Sequence, residues 1–340
     1  MDDVKTKLPQ QQTEFISGKA VKVIPQNPTV LLLRGGPGAE REVSLESGRG
    51  VAEALIGHGF EMIEGDISPQ DTSVLDRGGF DVVFPVLHGT FGEDGQLQEI
   101  LEEREIIYVG SDAASSRLAM NKYLSKQAFD QAGLQTPKGC LITSEERSQR
   151  GYHEFELFIE RAVESVTIPC VVKPNQEGSS IGVVICHNEE EAHRAISETL
   201  ERYQECLLEQ LICGKELTVG ILGDMALPVI QIWSGGHGFY DYQAKYIDDN
   251  TQYIFDINLD LAVLERVKSD GLRAFKAIKC RDFGRVDMIV DDYGRDFILE
   301  VNTIPGFTSH SLLPKAGRQA GISMEQMCGR IIQMALERSI

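Results

Sequence analysis

The chain has 340 residues, 42% of them apolar and 25% charged, with a net charge of −19. That length exceeds one ordinary core and predicts two or three domains. The acidic balance argues against a nucleic-acid partner, which needs a basic surface, and no apolar run approaches the ~18 residues that suggest a membrane span.

Residues 1–27 form a polar stretch without the apolar core of a secretory signal, and read as an N-terminal extension. The αβ pattern starts at residues 29–33, TVLLL, a short buried strand. A Gly-rich turn follows, then a helix over about 43–57 with Val43, Val51, Ala54 and Leu55 on its apolar side. Glu40, in that turn, reads either as a surface carboxylate or as the partner of an ammonium. Strands near 61–65 and 81–87 continue the alternation, and the second ends at His88 in a loop with glycines at 89, 92 and 95. Ligands of open α/β sheets gather at the carboxyl ends of strands, where Glu40 and His88 both fall. A helix over 96–104 and a short strand at 106–109 complete this region, with a boundary near 118.

Helical pattern over about 112–132 contains Met120-Asn121-Lys122. A strand near 137–142 and a helix near 153–165 lead to Cys170-Val171-Val172-Lys173, a strand that runs into a Gly/Ser loop over 174–182. Such a loop can fold over phosphate with its N–H and O–H donors. Lys173 reads as a phosphate ligand or as a strand-end lysine that keeps its head in water. The chain contains no G-x-x-x-x-G-K-[ST] sequence, so P-loop chemistry is not expected. After a helix over 188–203, Glu209 interrupts the apolar strand 206–211 and needs a partner there, an adenine amino group or a neighbouring lysine. Glu216 lies seven residues on. Residues 235–252 are long, polar and aromatic, as lids and binding loops often are, and carry Lys245 and Tyr246. The seven cysteines form no CxxC pair and read as reduced, buried thiols of a cytoplasmic protein.

A helix near 258–278 precedes residues 281–303, which read as a β-hairpin with its turn at Asp291–Gly294. Alternation puts Val286, Met288 and Val290 on one face, joined by Phe297, Leu299 and Val301. Arg285, Asp287, Glu300 and Asn302 fall on the other, with Asp287 opposite Glu300 and Arg285 opposite Asn302. Two carboxylates and an amide oxygen suit Mg²⁺; the alternative is a solvated edge face. Gly306 and Ser311 follow directly, and helices over 315–320 and 323–337 close the chain.

Eight stretches in order resemble the D-alanine–D-alanine ligase family of the ATP-grasp superfamily: GGPGAEREVSLESG, HGTFGEDGQLQ, MNK, KPNQEGSSIG, LEQLICGKELTVGILG, FYDYQAKY, GRVDMIV and LEVNTIPGFTSHSLLP. The resemblance covers about 29–338. It implies an α/β, three-domain ATP-grasp fold with an N-terminal parallel sheet: residues 28–118 for substrate, 119–211 as the central domain and 212–340 as the catalytic one. It implies that ATP activates one D-alanine as an acyl phosphate, which a second D-alanine attacks, for peptidoglycan precursor synthesis in the cytoplasm. The family's roles fall on Glu40 and His88 beside the first D-alanine, and on Lys122, Lys173 and Lys245 at the ATP phosphates. Glu209 would meet adenine and Glu216 ribose, and Ser179 would tie Glu40 to Tyr246. Arg285, with the Gly306 N–H, would meet the acyl phosphate and oxyanion. Asp287, Glu300 and Asn302 would hold two Mg²⁺, or Mn²⁺, and Ser311 and Leu312 would receive the second D-alanine. The family commonly forms homodimers. This chain departs from the common pattern at Pro37-Gly38, where a hydroxyl pair is usual, while Tyr246 favours an amine over a hydroxy acid such as D-lactate as second substrate.

Overall fold

The computed structural model describes residues 13–16, 19–22, 27–38, 40–233 and 251–338. Lys245 and Tyr246 lie outside the described residues. Near the N-terminus, strands Thr13–Ile16 and Lys19–Lys22 pair antiparallel.

Three further sheets follow. In the first, Thr29–Leu33 lies between Glu61–Gly65 and Val82–Pro85, all parallel. Helix Arg41–His58 connects the first two strands and stops where Gly59 adopts φ 93°, a left-handed turn that only glycine takes without cost. Residues 106–109 do not form the expected strand but contribute one parallel bridge, Val83 to Tyr108. The second sheet is antiparallel, in the order Gly139–Thr143, Glu205–Gln210, Cys170–Pro174, Val184–Cys186. Helices Tyr152–Val166 and Glu189–Tyr203 cover one of its faces. The third sheet is also antiparallel and centres on Gly214–Leu222 and Phe283–Asp291, with Asp296–Asn302 at one edge and Gln252–Ile254 at the other.

The cores cross the sequence order. Helices Leu312–Gln319 and Met324–Glu337, from the end of the chain, pack into the same core as Val30, Val51 and Phe84 from its beginning. Phe84, Phe283 and Phe307 meet there with ring centroids 5.4 to 6.2 Å apart, and such pairs add about 0.5–1.5 kcal/mol beyond their buried area. Ala119, Phe129 and Leu134 pack beneath the third sheet instead.

The span 112–132 is two helices, Ala113–Met120 and Lys122–Gln131. Asn121 breaks it because its side chain accepts the Leu124 N–H at 3.0 Å and caps the second helix. A short helix, Ser144–Arg150, also forms under a Thr143/Glu146 capping box that the sequence reading passed over.

The hairpin has the expected pairs: Arg285 opposite Asn302 and Asp287 opposite Glu300. It reaches them by a different path. Val290 pairs with Asp296, so the turn is one residue tighter, and a bulge after Asp287 restores the register towards Asn302. The extra residue corrects the expected apolar face. Ile298 and Val301 join Val286, Met288 and Val290 in the core, while Phe297 and Leu299 are only partly buried. Of the cysteines, Cys170, Cys186, Cys206, Cys280 and Cys328 are buried as expected, Cys140 is partly so and Cys213 is exposed.

Candidate active site

A cleft opens between the second and third sheets. Alternation along Cys170–Pro174 turns Cys170 and Val172 into the core and Val171 and Lys173 into the cleft. Glu209 pairs with Val171 across the strands, so it shares the cleft face with Lys173. Opposite lie Ile289, Leu299, Glu216, Asp287 and Glu300 from the third sheet. The bulge thus supplies Leu299 to the cleft rather than to the core.

Two lysines meet at one end of this cleft because of a residue that sequence reasoning missed. Asn175, fully buried, follows Lys173-Pro174 and docks on the start of helix Lys122–Gln131. Its carbonyl accepts the Lys122 N–H at 3.1 Å and its Oδ1 accepts the Tyr123 N–H at 2.9 Å. Its Nδ2 donates to Glu205 at 2.8 Å. Two of the helix's orphan N–H groups are thereby satisfied by the strand that carries Lys173. Lys122 donates to the Glu177 carbonyl and lies 3.4 Å from Glu300. Burial lowers its ammonium pKa, and Glu300 opposes the fall.

Glu209 is paired by lysines, the second alternative left open for it. Its two oxygens lie 2.7 Å from Lys126 and 2.7 Å from Lys173. Burial pushes its carboxyl up, but the two ammoniums outweigh this and hold it below its ordinary value. Lys126 is the second functional candidate missed. Its signal was the spacing Lys122–Lys126, one helical turn on the same face.

On the hairpin, Asp287 is gripped from three sides. Arg285 donates Nε to Oδ1 at 2.9 Å and Nη2 to Oδ2 at 2.7 Å. Thr218, opposite Asp287 on the neighbouring strand, donates to Oδ1 at 2.6 Å, and Asn302 donates Nδ2 to Oδ2 at 2.9 Å. A guanidinium therefore stands against a carboxylate that a hard cation would also bind. Asp287, Glu300 and Asn302 offer two carboxylates and an amide oxygen on one sheet face, a donor set that fits such a cation.

At the far end, three loops converge. Glu40, the residue before helix Arg41–His58, accepts a hydrogen bond from the Ser179 hydroxyl, 139 positions away. A Cβ on Gly89 would stand 2.8 Å from the Glu40 carboxylate, so glycine there lets the loop after His88 lie against it. Ser179 and Ser180 take φ of 50° and 57°, left-handed values that cost non-glycine residues energy and cluster at functional loops. His88 is buried and its ring is fixed at both ends. Nδ1 donates to the Ile304 carbonyl at 3.0 Å, so Nε2 accepts from Ser47 Oγ at 3.2 Å. Ser47 Oγ in turn accepts the Phe307 N–H at 3.2 Å. Burial lowers the imidazole pKa and favours this neutral tautomer. Glu93, also missed, accepts from the Gly89 N–H at 2.8 Å and the Ile304 N–H at 3.3 Å. Burial, reinforced by Glu40, pushes its carboxyl up to about 8.

Gly306 and Ser311 are neighbours: a Cβ on Gly306 would lie 2.6 Å from Ser311 Oγ. Ser311 precedes helix Leu312–Gln319, but its hydroxyl turns back to the Thr308 N–H at 3.0 Å. The Leu312 side chain is buried in the core, so it offers a ligand its backbone rather than its side chain. The Pro37-Gly38 loop, which lacks hydroxyls, is braced by Asp66. That carboxylate accepts the Gly36 N–H at 2.8 Å and pairs with Arg41 at 2.6 Å, while Arg41 donates to the Gly36 carbonyl at 2.9 Å. Among the described residues, no helix is long and apolar enough to cross a membrane.

Comparison with known proteins gives a consistent result. Residues 128–333 match the family model described as D-ala D-ala ligase C-terminus, and residues 64–111 match D-ala D-ala ligase N-terminus. A D-alanine–D-alanine ligase of Desulforamulus reducens is 39% identical over 311 residues, covering 90% of this chain and 98% of that protein. One of Bordetella avium is 40% identical over 309 residues, covering 88% and 92%. Among solved structures, the D-alanine–D-alanine ligase of Bacillus anthracis complexed with ATP superposes with a TM-score of 0.78 at 32% identity, covering 93% of this chain and 99% of that one. The VanG D-Ala:D-Ser ligase of Enterococcus faecalis gives 0.79 at 29% identity, covering 91% and 100%.

Proposed function

The chain belongs to the D-alanine–D-alanine ligase family, and on that premise we propose that its cleft is where ATP drives the joining of two D-alanines into D-alanyl-D-alanine, a building block of peptidoglycan. The observation that carries the reading is that the Ser179 and Gly89 loops both close on Glu40, and that Glu40 and Arg285 of the hairpin both act on His88 and Glu93. This supports a carboxylate for an ammonium close to a phosphate and metal site, as activation of an amino acid's carboxylate requires.

The residue roles follow from position and charge. The cleft lined by Val171 and Ile185 on one wall and Leu299 on the other would hold adenine, with Glu209 accepting from its amino group and Glu216 from ribose. Lys122 and Lys173, and Lys245 outside the described residues, hold the phosphates. Asp287, Glu300 and Asn302 hold two Mg²⁺, or Mn²⁺, which when bound neutralise the β- and γ-phosphates. Glu40 binds the ammonium of the first D-alanine and His88 orders the loops around it. That substrate's carboxylate attacks the γ-phosphorus, ADP leaves, and an acyl phosphate forms. Ser311, with the backbone of Leu312, receives the carboxylate of the second D-alanine. Its amine attacks the acyl carbon, Arg285 and the Gly306 N–H stabilise the oxyanion, and phosphate leaves. Ser179, whose hydroxyl reaches Glu40, is the residue that the family's pattern ties to Tyr246, which lies outside the described residues. Arg285, which donates to Asp287 here, would be free to face the acyl phosphate where Asp287 holds a cation.

The domain divisions at 118 and 211, a homodimer and a cytoplasmic location belong to the same proposal. The division carries one qualification from packing: residues 312–336 share the N-terminal core, and Ala119 to Leu134 share the third sheet's core. The test is product analysis with ATP, Mg²⁺ and D-alanine. D-alanyl-D-alanine formed in step with ADP is the expected result. No dipeptide at saturating ATP and Mg²⁺ overturns the reading, and D-alanyl-D-lactate or D-alanyl-D-serine as the preferred product from mixed substrates reassigns the second site.

A further inference from the structure

Glu209 faces two ammoniums, and they differ in one respect. Lys173 lines the cleft, whereas Lys126 lies behind Glu209 and does not. Lys126 is 6% exposed and Glu209 2%. Lys126 Nζ lies 2.7 Å from the Glu209 carboxylate, and among the described residues Lys126 forms no other ion pair. A buried lysine with one partner is poor value for stability, because desolvation offsets most of the attraction. Its position fits a different purpose.

We propose that Lys126 is a positioning residue that sets the base specificity of the nucleotide site by keeping Glu209 ionised. The inference rests on the reading of Glu209 as the acceptor for the adenine amino group. Nucleotide phosphates offer Lys173 a stronger partner than Glu209. Once Lys173 turns to them, Lys126 is the remaining countercharge in contact with this buried carboxylate. Lys173 and Glu300 are the other charges that act on Lys126, and Lys122, one helical turn back, interacts with Glu209 from a distance. Burial pushes the Lys126 ammonium down to about 8, with Glu209 opposing the fall, so it stays charged at neutral pH. An ionised carboxylate only accepts hydrogen bonds. It welcomes the 6-amino group of adenine and repels the 6-oxo group of hypoxanthine. A protonated Glu209 would carry an O–H that donates to the 6-oxo group, and the distinction would fade. A site that leaves a buried polar group mismatched rejects the wrong ligand strongly.

The experiment compares ATP with inosine triphosphate on the full chain with Mg²⁺, by calorimetric Kd without D-alanine and by kcat/KM with it. The wild-type protein is expected to prefer ATP by at least tenfold. Lys126→Met and Lys126→Gln should bring the ratio to within threefold of unity, chiefly by weakening ATP, while Lys126→Arg, which keeps the charge, should restore it. If the neutral variants weaken both nucleotides equally and keep the wild-type ratio, the inference is overturned and Lys126 is structural. Lys126→Gln decides the matter where the methionine variant does not fold. Glu209→Gln separates the premise from the inference. A wild-type protein without preference, or a Glu209→Gln variant that retains it, refutes the adenine role of Glu209 itself.

Discussion

Replacing Asn175 by alanine tests how the two phosphate-site lysines are brought together. The substitution leaves the backbone bond from Lys122 N–H to the 175 carbonyl but removes both side-chain bonds. The Tyr123 N–H, part-buried where it met fully buried Asn175, then loses its partner, which costs about 1–3 kcal/mol. Glu205 also loses a donor, but it is only partly buried and keeps Gln176 at 2.9 Å, so this end adds less. The expected loss is about 2–4 kcal/mol, concentrated where helix Lys122–Gln131 meets strand Cys170–Pro174. Amide hydrogen exchange reads it locally. Each 1.4 kcal/mol is a factor of about ten, so exchange over the first turns of that helix should quicken at least roughly tenfold. The KM for ATP should rise with it, because Lys122 is no longer held against the phosphate loop. Gln176→Ala is the control, since it removes only the exposed partner of Glu205 and should stay within about 0.5 kcal/mol. Unchanged exchange in the helix together with an unchanged KM for ATP in Asn175→Ala would refute the reasoning.

Two more outcomes follow from the same geometry. Ile298→Ala should cost about 2–5 kcal/mol of stability as a fully buried truncation, and Phe297→Ala clearly less despite its larger side chain; equal losses in urea unfolding would contradict the bulge. Glu93 gives a pH signature. Burial raises its carboxyl to about 8 in the folded protein, well above the ordinary glutamate value, so the folded state holds the proton more tightly. Its contribution to stability is therefore full below the unfolded value and is lost as pH rises towards 8. Wild-type stability relative to Glu93→Gln should fall between pH 5 and pH 8.5, and a difference that is flat or rises with pH counts against a protonated Glu93.

Local pattern determined much of this protein. The alternation in 283–291 assigned Val286, Met288 and Val290 to the core and Arg285 and Asp287 to the other face, because strand side chains alternate whatever lies beyond them. It also put Glu300 and Asn302 beside them. The helices and the Gly-rich turns were legible for the same reason, since capping, periodicity and glycine's backbone freedom act over a few residues. Eight ordered motifs then supplied the family. What alternation could not register was one extra residue: the bulge at Leu299 shifts parity by one and depends on how the turn and the neighbouring strand settle together. Partners distant in sequence were equally hidden. Lys126 and Asn175 look like ordinary polar residues until Glu209 and the Asn121 cap are brought against them, and Glu93 looks like one more surface acid until the Ile304 N–H arrives from 211 positions away. Burial set those charges and hydrogen bonds, and burial is decided by which chain segments pack together. So the identity of the chemistry was written locally, while the tertiary structure alone decided which groups are shielded from water and therefore held in the ionisation state that the chemistry uses.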